Sequence, residues 1–287
     1  MPHKTIEDAY KYGRQNLKEH KDESAALHAR LLLMHVLGLS HEDFICAQKN
    51  DISASQLKQY EEYVCAAAKG KPVSKIIGSK EFYGLEFIVS EDVLDPRPET
   101  EIIVDKLLAI IKEDGVESPH ILDMGTGSGC IPISLLKNHT GMRATALDIS
   151  SKALDIARQN AQKHGVSDRI KFIESDWGDN CEGVFDYIVS NPPYIETKTI
   201  ESLDENVRNY DPILALDGGE DGFDAYKKIF NDVKRLIRPQ GKALLEIGYN
   251  QGAEIQRIAK LYGFAVDALI QDFSGHNRII AISTGKK

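Results

Sequence analysis

The sequence predicts an α/β protein in which a doubly wound, seven-stranded and mostly parallel sheet is joined by a β-hairpin to a small N-terminal helical bundle. From His120 onward, strand, glycine turn, helix and strand follow one another repeatedly, which is typical of such a sheet. The last two strand patterns, Phe264–Ile270 and Arg278–Ser283, have no helix between them, so we expect them to pair antiparallel. Residues 1–73 instead place apolar side chains at helical spacing, which predicts the bundle.

The chain divides into three predicted segments. Residues 1–73 are the helical domain, and packing alone accounts for their sequence. Residues 74–95 change to an alternation of period two that includes Ile76 and Ile77, which predicts a hairpin linker. Residues 96–287 are the main domain.

The bounds of the predicted elements follow from apolar runs and from the residues that cap or end them. In the bundle, the expected N-caps are Thr5, Ser40 and Ser53. In the main domain, the strands before the terminal pair are His120–Met124, Arg143–Leu147, Arg169–Glu174, Val184–Val189 and Ala243–Ile247. The helices are Cys130–His139, Ser151–His164, Phe223–Ile237 and Gly252–Tyr262. The polar connection 196–221 is typical of a solvated loop, and its length suggests a substrate flap.

Composition and charge exclude some classes of protein. The first 90 residues carry 12 basic and 12 acidic side chains, so the net charge of −9 lies entirely in the rest of the chain. A protein that grips a nucleic acid duplex usually shows a basic stripe, and none is visible. We therefore expect no direct nucleic-acid binding and no metal site, since the histidines and the four cysteines lack ligand spacing.

The same features predict a cytoplasmic protein. The four cysteines are far apart and are expected to be reduced, mostly buried thiols. The longest apolar run near the N-terminus, Leu31–Leu39, falls short of the roughly 20 residues that a membrane span needs. The first residues do not resemble a signal peptide. We also expect the protein to be a monomer.

A rigid corner follows the fourth strand of the main domain. Two consecutive prolines, Pro192 and Pro193, cannot donate ladder hydrogen bonds, so the strand must end at Asn191. The carboxyl end of a parallel strand is where open α/β sheets bind ligands. The carboxamide of Asn191 and the ring of Tyr194 could hold a planar group that carries an NH2, whereas the alternative is a simple turn that ends the strand.

A glycine turn, Gly125-Thr126-Gly127-Ser128-Gly129, joins the first strand to the first helix of the main domain. Glycines here allow close approach of a ligand to the backbone at a helix N-terminus. Asp148 follows the second strand, 19 residues after Gly129, and a carboxylate there can bind both hydroxyls of a ribose. A dinucleotide and S-adenosylmethionine both fit this pattern. The G-x-G-x-G spacing, with Asp123 before it to attract a cation, favours S-adenosylmethionine.

Further motifs extend this pattern to a known family. Phe82-Tyr83-Gly84-Leu85, Pro96–Glu101 and Ala215–Gly219, together with the glycine turn and Asn191–Tyr194, resemble the PrmC/HemK family. The members of this family are peptide chain release factor glutamine methyltransferases, with a class I S-adenosylmethionine-dependent methyltransferase sheet behind a helical domain. The resemblance covers essentially the whole chain, although the helical domain matches in layout more than in residues.

The resemblance implies roles for particular residues. Residues 125–129 would contact the donor, with Asp148 at its ribose and Trp177 beside its adenine. Asn191 would contact both donor and substrate. Pro192, Pro193 and Tyr194 would complete the substrate pocket, and residues 97–100 would line the donor site. The implied substrate is the glutamine of the Gly-Gly-Gln loop of class 1 release factors, and residues 1–73 would dock the factor.

Three other functions remain open at this point. A DNA adenine-amino methyltransferase could use the same corner for a flipped base, although the charge balance gives it no support. A nicotinamide-dependent dehydrogenase could use the same glycine turn. A docking protein without catalytic activity is the third possibility, and Trp177 could then be an ordinary core residue.

Overall fold

A computed structural model describes residues 5–285 and divides into two compact units. The first unit extends to Ser79 and also includes Asp204–Tyr210. Its helices are α1 (Ile6–Glu19), α2 (Ala25–Leu37), α3 (His41–Cys46), α4 (Ala54–Ala68) and α5 (Val73–Ile77). The three predicted caps are confirmed, because the side chains of Thr5, Ser40 and Ser53 each accept a backbone N–H bond at the start of α1, α3 and α4.

The second unit contains the hairpin and the main sheet. Strands β1 (Ser79–Phe82) and β2 (Leu85–Ile88) form the hairpin. The sheet strands are β3 (His120–Met124), β4 (Arg143–Asp148), β5 (Ile170–Glu174), β6 (Phe185–Ser190), β7 (Ile237–Glu246), β8 (Phe264–Gln271) and β9 (Asn277–Thr284). The helices are α6 (Glu101–Asp114), α7 (Cys130–Asn138), α8 (Ser151–Lys163), α10 (Asp224–Leu236) and α11 (Gly252–Leu261); the short helix α9 (Glu205–Arg208) belongs to the first unit.

The sheet has the order β5-β4-β3-β6-β7-β9-β8, and its first five strands are parallel. Strand β9 pairs antiparallel with both β7 and β8, which confirms the predicted antiparallel end of the sheet. Alternate side chains face opposite layers: Ile121 packs with α6 and α7, whereas Leu122 packs with α10 and α11. The chain order reverses between β4, β3 and β6. Open α/β sheets bind ligands outside the carboxyl ends of strands at such a reversal.

Four sequence-based expectations need correction. Ile76 and Ile77 lie in helix α5 rather than in the hairpin, because Pro72 begins a helical turn that Gly78 ends at a φ of 74°. Strand β7 begins at Ile237, where α10 ends, and not at Ala243. The connection 196–221 is not a plain loop, since it contains 3-10 turns at Thr197–Ser202 and Ile213–Ala215 besides α9. Of the four free cysteines, Cys46 and Cys65 are exposed and only Cys130 and Cys181 are buried.

Candidate active site

A cavity of about 500 Å³ opens at the carboxyl ends of β3, β4 and β6. Most of the predicted site residues line it: Gly125, Thr126, Gly127, Ser128, Asp148, Trp177, Asn191 and Pro193. Gly129, Pro192 and Tyr194 are predicted site residues that lie outside the lining. The cavity is also lined by Pro96, Arg97 and Thr100 from the segment before α6. From the connection after β6, its lining residues are Pro212, Leu214, Ala215, Asp217, Gly218 and Gly219.

The glycine turn is held against the end of β4. The backbone N–H groups of Gly125 and Thr126 both donate to the carbonyl of Leu147, at 2.9 and 2.8 Å. Gly125, Gly127 and Gly129 all have positive φ, a conformation that glycine adopts without strain. A Cβ at Gly129 would lie 2.9 Å from Ile133 Cδ1 and 3.2 Å from Ala157 Cβ. Gly129 therefore permits close packing of helices, while the preceding residues of the turn face the cavity.

Asp148 connects the end of β4 to the glycine turn. Its Oδ2 accepts the N–H of Gly127 at 2.8 Å, and its Oδ1 accepts the N–H of Ser150 at 2.9 Å. Burial raises the pKa of Asp148, and these backbone hydrogen bonds oppose the rise. Each oxygen keeps a further lone pair, so this carboxylate can still accept hydrogen bonds from a ligand in the cavity.

Trp177 lies on the glycine turn. A Cβ on Gly125 would be 3.6 Å from Cζ3 of the indole, so the ring lies next to this glycine. Trp177 has a φ of 49°, which is an unusual backbone conformation for a large side chain. It is half-buried, and it both lines the cavity and packs against the core on the α10 side. Trp177 therefore faces the cavity, as predicted, and it also packs partly as a core residue, which was the alternative interpretation.

Asn191 is held by a chain of two hydrogen bonds. Its Nδ2 donates to Thr100 Oγ1 at 3.1 Å, and Thr100 Oγ1 donates to Glu246 Oε2 at 2.6 Å. Thr100 and Glu246 are both buried, each 2% exposed. The strand end beneath the corner is fixed as well, because Ser190 Oγ donates to the carbonyl of Met124 at 2.5 Å.

The rest of the corner is supported by a neighbouring segment and by a glutamine. The Gly218 N–H donates to the carbonyl of Ile195 at 2.8 Å, and the Ile195 N–H donates to Leu216 at 3.0 Å. Gln251 Nε2 donates to the carbonyl of Tyr194 at 3.0 Å. The ring of Tyr194 packs against the core on the α10 side, and burial raises the pKa of its hydroxyl well above the usual value.

The segment before α6 reaches across to the connection after β6. Arg97 Nη2 forms a 2.6 Å ion pair with Asp211 Oδ2, and the Asp211 side chain is only 4% exposed. Leu214, which lines the cavity, is 59% exposed. An apolar side chain at the mouth of the cavity is therefore available to a large substrate.

Asp123 lies behind the glycine turn and does not line the cavity. It is fully buried, and neither carboxyl oxygen has a hydrogen-bond partner of good geometry among the described residues. Burial raises its pKa to about 7, an effect that the Thr126 hydroxyl opposes and the Asp148 charge increases. Asp123 therefore cannot contact a cation in the cavity directly, and the predicted attraction would have to act through the glycine turn.

Sequence reasoning missed three side chains that shape the site. Asn160 is buried in α8; its Nδ2 donates to the carbonyls of Ser128 and Ile88, and its Oδ1 accepts the Ile88 N–H. Glu246 and Gln251 support the corner. The sequence offered two signals, the polar Asn160 in the middle of a helix and the acidic Glu246 at the end of an apolar strand. Neither signal identifies the residue with which the side chain forms a hydrogen bond.

Two comparisons of sequence segments define the class of protein. The family "Methyltransferase small domain" matches residues 83–209, and "PrmC N-terminal domain" matches residues 8–78. A methyltransferase from Pyrococcus furiosus shares the fold, with a TM-score of 0.54 and 17% identity over 79% of this chain and 100% of that chain. The structural likeness shows the fold, and the matched methyltransferase domain gives the class, which the whole-chain relatives bear out: the chain is a methyltransferase.

Whole-chain relatives identify the family. The release factor glutamine methyltransferase of Chlorobaculum tepidum is 40% identical over 91% of this chain and 90% of its own length. The protein of that name in Agrobacterium fabrum is 39% identical over 88% of both chains. This protein belongs to the release factor glutamine methyltransferase family, as the motifs indicated.

The described residues offer neither a cluster of metal ligands nor a helix that could span a membrane. Within residues 5–285, no group of three or more His, Cys, Asp or Glu side chains is arranged to hold a metal ion. No helix in that part of the chain is both long and apolar enough to cross a membrane.

Proposed function

We propose that this protein transfers a methyl group from S-adenosylmethionine to the side-chain amide nitrogen of the glutamine in the Gly-Gly-Gln motif of class 1 peptide chain release factors. The observation that supports this most directly is Asn191, whose carboxamide lines the cavity with its nitrogen engaged by Thr100. The relatives named release factor glutamine methyltransferase support the choice of substrate.

The chemistry of the cavity suits the donor. Asp148 has lone pairs left for ribose hydroxyls, and Trp177 offers a flat apolar surface beside Gly125. The Thr126 hydroxyl lines the cavity and is buried, and it makes no hydrogen bond of good geometry among the described residues. S-adenosylmethionine, when bound, supplies an electrophilic methyl group on a sulfonium. Gly125–Ser128, Asp148 and Trp177 are the residues that would hold it.

The protein's task is then to orient and desolvate a weak nucleophile. An amide nitrogen is poorly nucleophilic because its lone pair is delocalised into the carbonyl. Asn191 Oδ1 and the carbonyl oxygen of Pro192 accept the two amide hydrogens, which holds the nitrogen in one orientation. The same acceptors stabilise the positive charge that develops on the nitrogen during transfer. Tyr194 and Pro193 enclose the acceptor, and proton loss to water after transfer makes a general base unnecessary.

The domain roles complete the proposal. Residues 1–73 dock the release factor, residues 74–95 link the domains, and residues 96–287 carry out the transfer. Because the net charge of −9 lies outside the first 90 residues, the catalytic domain is acidic and suits a protein substrate better than DNA. The monomeric state and the cytoplasmic location stay predictions.

Methyl transfer from labelled donor to purified release factor tests the proposal. We expect labelling of the wild-type factor and none when the motif is changed to Gly-Gly-Asn, because the shorter side chain cannot reach the acceptor position. The enzyme variant Asn191→Ala should lower kcat at least about 100-fold and keep the affinity for S-adenosylhomocysteine within about threefold.

Asn180→Ala is the matched control. Asn180 is exposed, and within the described part of the chain its Nδ2 bonds only the carbonyl of Glu174, so this variant should keep wild-type kcat. Labelling of DNA but not of the release factor would establish the adenine-amino alternative instead. A wild-type kcat in Asn191→Ala would rule out the proposed orientation of the acceptor.

A further inference from the structure

We propose that Thr100 and Glu246 are positioning residues which determine which end of the Asn191 carboxamide faces the acceptor. This inference rests on the proposed function, and it adds two residues to the machinery of the same site. Thr100 lies immediately before α6 and Glu246 ends β7, so the three residues come from distant parts of the chain. Their hydrogen bonds span sequence separations of 91 and 146 residues.

The direction of the hydrogen-bond chain follows from how many hydrogens each group has. A threonine hydroxyl has a single hydrogen, whereas a carboxylate can only accept. With Glu246 ionised, that hydrogen goes to Oε2 at 2.6 Å, and Thr100 Oγ1 can only accept from its other neighbour. Its neighbour is Asn191, at 3.1 Å, so the NH2 end of the carboxamide must point at Thr100. The oxygen end is then left for the hydrogens of the acceptor amide.

Protonation of Glu246 removes this constraint. A neutral carboxyl can donate to Thr100 Oγ1, and the threonine hydrogen becomes free to bond Asn191 Oδ1. The carboxamide then turns its NH2 end toward the acceptor, where two donors face each other. Because Thr100 and Glu246 are both buried, water does not compete for either bond.

The surroundings of Glu246 place this change near neutral pH. Burial is the largest effect and raises the pKa of Glu246 to about 7; the hydrogen bond from Thr100 opposes it. The other groups that act on Glu246 are Glu99, which raises the pKa, and Arg278 and Tyr194, which lower it. Tyr226 and Cys130 also lie close enough to interact with Glu246, and the Tyr226 hydroxyl donates a hydrogen bond to the Glu246 backbone carbonyl. Burial raises the pKa values of both Tyr226 and Cys130, so both groups stay neutral.

The test compares variants that keep the shape of the side chain. Thr100→Val removes the hydroxyl and should lower kcat about 10- to 100-fold, with the affinity for S-adenosylhomocysteine, measured by calorimetry, within about threefold. Thr100→Ser restores the hydroxyl and should recover most of kcat. The wild type should lose kcat as the pH falls below about 7, and Glu246→Gln should abolish this fall. Thr145→Val is the control and should keep wild-type kcat, because among residues 5–285 the hydroxyl of this buried threonine hydrogen-bonds only His120.

A second measurement separates this inference from the proposed function. The side-chain NH2 resonances of Asn191, assigned with Asn191→Ala, should titrate in the wild type, stay constant in Glu246→Gln and lose exchange protection in Thr100→Val. This measurement holds even if the wild type methylates no release factor, a result that would refute only the proposed function. Three results would overturn the inference. The first is a wild-type kcat in Thr100→Val, and the second is an equal loss of kcat in Thr100→Ser and Thr100→Val. The third is a set of Asn191 resonances that neither Glu246→Gln nor Thr100→Val changes.

Discussion

Gly218 should be intolerant of even a methyl group, because it lies directly against the backbone of Pro193 and Tyr194 in the corner after β6. A Cβ at this position would lie 2.8 Å from Tyr194 Cα and 2.9 Å from the carbonyl oxygen of Pro193. Ordinary van der Waals contact begins at 3.4 Å, so one of the two backbones must move by about 0.6 Å. The atoms in the way belong to backbone that Gln251 and Ile195 hold by hydrogen bonds, so neither side can yield as a flexible side chain would.

The expected cost of Gly218→Ala is worked from this displacement. Overpacking of this kind costs about 1–3 kcal/mol of unfolding free energy. A misplacement of about 1 Å at reacting groups costs about 100-fold in rate, so 0.6 Å is expected to lower kcat on release factor roughly 10-fold or more. The affinity for S-adenosylhomocysteine should change less, since Asp148 and Trp177 are not displaced. Steady-state methyl transfer, calorimetry and urea unfolding measure the three quantities.

Gly285→Ala is the matched control for this prediction. Gly285 does not have a positive φ, and a Cβ there would meet no atom of the described residues within 4 Å. Its substitution should leave both kcat and the unfolding free energy at wild-type values. A wild-type kcat in both Gly218→Ala and Gly285→Ala would refute the reasoning. It would mean that the geometry of the corner does not depend on close packing against the Ala215–Gly219 segment.

Two further predictions concern buried carboxyl groups. Asp148→Asn should weaken S-adenosylhomocysteine binding about 10- to 100-fold in calorimetry, because an amide offers only one oxygen to Gly127 and Ser150 and turns its NH2 toward the other N–H; an unchanged affinity would remove Asp148 from the donor site. Asp123 has a folded pKa raised from 3.8 to about 7, so its contribution to stability is complete below about pH 4 and is lost as the pH rises through 7. Asp123→Asn should therefore reduce the fall in unfolding free energy between pH 4 and pH 8 by up to about 4 kcal/mol. Urea unfolding at several pH values measures this fall, and the same pH dependence in the variant and the wild type would refute the titration of buried Asp123.

The main elements of the fold were predictable because their signals are local. The alternation of strands and helices, the glycine turn from Gly125 to Gly129 and the stop at Pro192 all follow from the periodicity and backbone chemistry of neighbouring residues. The errors fell where local signals are ambiguous. Ile76 and Ile77 fit an alternation of period two, but they belong to a single helical turn between Pro72 and Gly78, which is too short to show a helical period.

The candidate site was predictable only in part, for the same reason. Asp148 and Asn191 stand at strand ends, a position that the sequence alone identifies, and both line the cavity. Tyr194 and Pro192 were predicted in the site from the same motif, yet neither lines the cavity, since the corner turns Tyr194 toward the core. Their proposed roles depend on how an acceptor enters.

By itself, the amino-acid sequence determined the fold class, the family and the residues at the strand ends, because propensity, spacing and turn chemistry act over a few neighbouring residues. Only the tertiary structure decided which groups hold those residues in place. The bonds from Asn191 to Thr100 and from Thr100 to Glu246 join positions 91 and 146 residues apart, and Asn160 reaches 72 residues to Ile88. Such partners are set by the packing of helices on the sheet, which no local pattern records.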